Sequence, residues 1–76
     1  MNLWLIVYVF GKVGGFAGPL PYGLDECNTR AKELRQDMQG HQTVLKNGLI
    51  VTDKDVIISC EYADIKPIFE DIPELQ

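Results

Sequence analysis

The chain is poor in the side chains from which catalytic and metal centres are built, with one histidine, His41, and two cysteines, Cys27 and Cys60. No Cys-x-x-Cys or His-x-x-x-His pair is present, so the zinc-ligand set is weak. Asp53 and Asp55 are near neighbours, but the surrounding segment lacks the further oxygen ligands of a calcium loop. Basic charge is also scarce: 7 Lys and Arg against 11 Asp and Glu give a net charge of −4. A chain with that balance and no basic stripe is a poor partner for a phosphate backbone, and direct nucleic-acid binding is not expected. No apolar run approaches the roughly 20 residues of a membrane-spanning helix. The N-terminal run lacks the positive flank of a signal peptide, since only Asn2 intervenes after Met1 and Lys12 follows the run. The expectation is a cytoplasmic protein with no metal, no cofactor and no membrane association.

What the chain does have is an unbroken apolar run, Leu3 to Phe10. A strand points alternate side chains to opposite faces, so Leu3, Leu5, Val7 and Val9 would share one face and Trp4, Ile6, Tyr8 and Phe10 the other. A small domain with one helix covers only one of them. The remaining face needs the chain's own tail, a second copy or a partner. Gly11 to Gly15 reads as a glycine-rich hairpin turn, with Phe16 to Leu20 returning as a short edge strand ended by Pro19 and Pro21. These glycines fit neither a Walker loop nor a dinucleotide fingerprint, because no helix opens after them.

Leu24, Cys27, Ala31, Leu34 and Met38 recur at helical spacing and predict one amphipathic helix with a single buried stripe. Asp25 and Glu26 suit its first turn, Gly23 or Asp25 its N-cap, and Gly40 its C-terminal stop. Arg35 falls among the residues of the solvent face. His41 to Lys54 reads as a polar connection with an Asn47-Gly48 turn and a brief extended stretch near Leu49–Val51. A further strand spans about Asp55–Tyr62, with Val56, Ile58, Cys60 and Tyr62 on one face.

The predicted class is α+β: a ββαβ domain over residues 1–63, followed by an acidic extended tail, 64–76. A right-handed crossover through the helix places the strands in the order 2-1-3, with the apolar first strand central. That topology brings the helix start and the end of the last strand to one end of the domain, making Cys27 and Cys60 a candidate disulfide. The alternative for the pair is two reduced, buried thiols. Cysteine catalysis fails on geometry, because His41 lies past the far end of the helix, about 20 Å away at 1.5 Å per residue.

No catalytic residue set emerges, and the chain reads as a protein-binding module. Trp4, Tyr8 and Phe10 on the first strand are the candidate contact residues, since Trp and Tyr are enriched at binding hot spots. Phe69, Glu70 and Asp71 of the acidic tail complete the set. In size, acidity and lack of catalytic residues, the chain resembles the small acidic single-domain proteins encoded by phages and mobile elements. No motif is matched, and no functional residue carries over. Among such proteins, anti-CRISPR and other anti-defence proteins bind and block a host machine. The resemblance implies an inhibitor that acts by steric occlusion of an unidentified host protein. The alternatives are a structural homodimer and a small disulfide-stabilised secreted or periplasmic domain.

Overall fold

The structure, a computed structural model, describes residues 1–72. Its elements are β1 (Asn2–Val9), β2 (Lys12–Ala17), α1 (Leu24–Met38), β3 (Gln42–Val44), β4 (Ile50–Thr52), a 3-10 turn (Asp53–Asp55) and β5 (Val56–Ala63). The class is α+β, with an antiparallel sheet in the order β2-β1-β5. The central placement of the apolar strand is as expected. The simple ββαβ order is extended, because the polar connection folds into a separate β3–β4 hairpin. Its turn is closed by the Leu45 N–H donating to the Leu49 carbonyl and the Gly48 N–H to the Leu45 carbonyl, and Gly48 has a φ of 87°.

The first hairpin differs from the expected glycine loop. Val9 pairs with Lys12, so the turn is only Phe10 and Gly11, with φ of 52° and 79°. Two consecutive positive φ values are those of a type I′ hairpin, whose twist matches that of its strands. Phe10 therefore leaves the strand, and Gly14 and Gly15 enter β2. Opposite Val7 and Tyr8 the register slips from Gly15 to Val13, which makes Gly14 the extra residue of a bulge. Beyond β2, Gly18 has a φ of +147°, and a Cβ there would lie 2.7 Å from the Trp4 ring.

The helix follows its predicted limits, with Gly23 as N-cap, although no side chain caps it. Its buried face is narrower than expected. Cys27 and Ala31 are wholly buried, whereas Leu24 and Leu34 are 39% and 41% exposed. Arg35, expected to face solvent, reaches back with Nη2 to donate to the Ile58 carbonyl at 2.8 Å. The helix lies over β5 rather than centrally over β1. Cys27 and Cys60 are bridged, with Cα atoms 6.2 Å apart, and Met38 packs on the same core as Val56. The bridge closes a separation of 33 residues, which by loop entropy contributes about 3–4 kcal/mol.

Both faces of β1 are buried. Leu3 and Leu5 join Cys27, Ala31 and Ile58 under the helix, and Trp4 and Ile6 join Val13 on the opposite side. The cover there includes the chain's own tail. Residues 64–72 have no regular secondary structure, yet the Phe69 ring lies 4.9 Å from that of Phe16, and Ile72, 6% exposed, is buried beside Gly14 at the β2 bulge. Glu70 closes the free edge of β2: its N–H donates to the Val13 carbonyl, and its carboxylate accepts from the Val13 N–H at 2.9 Å. Residues 73–76 of the expected tail lie outside the described residues. Replacing Ile72 with Ala should cost about 2–4 kcal/mol, as for a buried branched side chain. Ile68→Ala, 76% exposed, should change stability little. Denaturant melts that show equal effects would refute the tail as part of the core.

Candidate functional site

Because α1 sits towards β5, the sheet on its β2 side is left partly open. A groove with a cavity volume of about 320 Å³ runs there between helix and sheet. Leu5 and Ala17 form its floor, and Tyr22 and Leu34 supply apolar walls. The half-exposure of Leu34 follows directly, since it points into the groove and not into the closed core. The rim is charged, with Arg30, Glu33 and Asp37 along the helix. Arg30 is engaged locally, its Nε donating to Glu26 at 3.0 Å and its guanidinium lying 4.6 Å from the Tyr22 ring centroid. Among the described residues Glu33 and Asp37 have no ion-pair partner, so the rim is acidic. Chemically, the groove is suited to an apolar side chain carried beside a cation.

The residues singled out from the sequence do not form one exposed aromatic face. Trp4 is 4% exposed, packs edge-on to Phe16 and donates from Nε1 to the Ala63 carbonyl at 3.2 Å. It is sealed inside the monomer, so a partner has no access to its ring. Tyr8 is half-buried beside β5, and Phe10 is at the hairpin tip. Phe69 remains 63% exposed despite its contact with Phe16. Glu70 is committed to the β2 edge, and Asp71 is exposed. Groove residues Leu5, Ala17 and Tyr22 were absent from the expected set. The nearest signal was Leu34 set between Glu33 and Asp37, an apolar residue in an acidic neighbourhood.

His41 lines a separate, smaller depression with Asp53, Thr52, Met38 and Val56. Among the described residues no group of three or more His, Cys, Asp or Glu side chains is placed to hold a metal, and no helix is long and apolar enough to cross a membrane. Compared with protein-family models, curated proteins and solved structures, the chain matches none.

A short side-chain hydrogen bond runs across the outer face, from the Tyr8 hydroxyl to Glu61 Oε2 at 2.6 Å. That bond, then burial, then the charges of Glu61 and Glu70 raise the Tyr8 pKa above its ordinary 10.0. The folded chain thus holds the phenolic proton more tightly than the unfolded chain. The resulting stability is complete below the ordinary tyrosine value and is lost as pH rises through the raised one. Ultraviolet titration should show a phenol ionising above the ordinary range that disappears in Tyr8→Phe and moves down in Glu61→Gln. An unchanged alkaline titration in both variants would contradict the bond.

Proposed function

We propose that the protein is a non-catalytic protein-binding module whose partner contact is the acidic-rimmed groove between α1 and β2. The observation that carries the reading is an apolar floor left open beside the helix, flanked by the Glu33 and Asp37 carboxylates. Its occupant is a protein segment that presents one apolar side chain next to Lys or Arg. In keeping with the resemblance to phage- and mobile-element-encoded anti-defence proteins, we read the module as an inhibitor of a host complex. A bound domain of this size occludes a site by bulk alone, and needs no chemistry of its own.

The test combines capture with groove variants. Leu34→Asp and the pair Glu33→Lys with Asp37→Lys should each weaken a captured partner by at least about tenfold, or 1.4 kcal/mol. Leu34→Ala should cost only about 1 kcal/mol of fold stability, because the side chain is already 41% exposed. A partner that binds the groove variants and the parent equally would remove this reading.

The bridged Cys27–Cys60 pair supports a second reading, a disulfide-stabilised secreted or periplasmic domain, since structural disulfides are rare in cytoplasmic proteins. Thiol titration of denatured protein from its native compartment separates the readings. No free thiol is expected for an oxidising compartment, and two for the cytoplasm.

A further inference from the structure

The two edges of the sheet are finished differently. The β2 edge is met at Val13 by Glu70, which exchanges two hydrogen bonds with it. Among the described residues no strand pairs with the β5 edge, where the sheet ends. Which β5 groups face outward follows from the register. Phe10 donates to the Asp55 carbonyl across the hairpin end, so that pair is hydrogen-bonded. Bonded and non-bonded pairs then alternate. Ile57, Ser59, Glu61 and Ala63 bond to β1, while Ile58, Cys60 and Tyr62 turn their N–H and C=O groups away from it. Arg35 confirms the phase, since it reaches the outward Ile58 carbonyl from the helix.

With the Ile58 carbonyl taken by Arg35, this edge offers the N–H groups of Ile58, Cys60 and Tyr62 and the carbonyls of Cys60 and Tyr62 to an incoming strand. Its protection is partial: Arg35 occupies one acceptor, while Val56–Ala63 contains no proline and no lysine, and its one charge, Glu61, is tied to Tyr8. Ile57 and Tyr62 beside it are 60% and 51% exposed.

We infer that the β5 edge is a strand-addition site that takes an extended, acidic segment of a partner protein. Backbone pairing supplies the attraction, and side chains alternating along the segment supply the choice. The acidic preference comes from the helix flank above the edge. Arg35 already hangs over it, and Lys32, Asn28 and Asp25 lie on the same flank at helical spacing, so the flank carries two cations against one acid. The opposite flank carries Glu33 and Asp37, so the two sides of α1 differ in sign and this site is distinct from the groove. A second copy is the poorer occupant. Helices pack about 8–10 Å apart, whereas paired strands lie about 4.8 Å apart, and α1 sits over β5 itself. Two copies joined through this edge would bring their helices into collision.

The experiment uses the full chain and a labelled peptide of alternating valine and glutamate, with the valine–lysine peptide as counterpart. Fluorescence anisotropy should show the acidic peptide binding at least about tenfold more tightly. Lys32→Glu should abolish the preference. Tyr62→Pro removes one outward donor without touching the β1 ladder, and should weaken binding by a similar factor. In the unmodified protein, amide exchange at Ile58, Cys60 and Tyr62 should slow when the acidic peptide is added, which keeps the test valid should the proline variant unfold. Equal binding of both peptides, no binding, or unchanged exchange at these three amides would overturn the inference. So would a dimer, seen by light scattering, that protects the same amides without peptide.

Discussion

Everything in this fold answers to β1, a strand that must be covered on both faces within a chain carrying one helix. Leu3 and Leu5 on one side and Trp4 and Ile6 on the other are each nearly inaccessible. Burial at about 25 cal/mol per Å² of apolar surface makes leaving either face wet costly on the scale of a small domain's total stability. The helix resolves one face. For the other, Phe16 and Val13 of β2 pack beside Trp4 and Ile6, the tail brings Phe69 against Phe16, and Ile72 is buried beside Gly14 of β2. A tail that looks from its charge like a solvated end is thus structural from Glu70 to Ile72.

The second determinant is the bridge between Cys27 and Cys60. It ties the first turn of the helix to an outer strand, and Arg35 ties the next turns to the same strand through the Ile58 carbonyl. A helix held over one edge of a three-stranded sheet cannot cover the other edge. The groove over Leu5 and Ala17 is the consequence, and Leu34 is exposed for the same reason.

Much of this was legible in the residues, and what was not has physical causes. The helix limits, the central strand and the pairing of the cysteines rest on periodicity and chain connectivity, both of which are written locally. The hairpin misled because several glycines follow Phe10, and a bulky residue at positive φ is the least expected occupant of a turn. Glycine instead serves the bulge at position 14 and the close approach of position 18 to Trp4, which are tertiary demands. The β3 strand escaped notice because Gln42, Thr43 and Val44 are all exposed and so carry no alternation. The groove was hidden for a different reason: a helical stripe shows which residues face a sheet, but not which strand the helix lies over. The aromatic contact face failed at Trp4, whose hydrophobicity reports burial and binding in the same terms.

On the proposed reading, the tail and the helix together decide where a partner would have purchase. Each covers one face of β1, and each lies off centre. Glu70 takes both backbone groups of Val13 at the β2 edge, so a strand pairing there would have to displace it. The helix, drawn to β5, leaves an apolar trough on the β2 side and a cationic flank above the β5 edge. Apolar contact is thus offered over the β2 side of the sheet, and backbone contact along the β5 edge. A single partner segment could not use both at once, because they lie on opposite flanks of α1 and carry opposite charge. Two segments could, one with a cation beside an apolar side chain and one extended and acidic. A small domain that grips at two such points resists displacement from a larger complex better than one that grips at either, since the second contact forms within an already tethered pair.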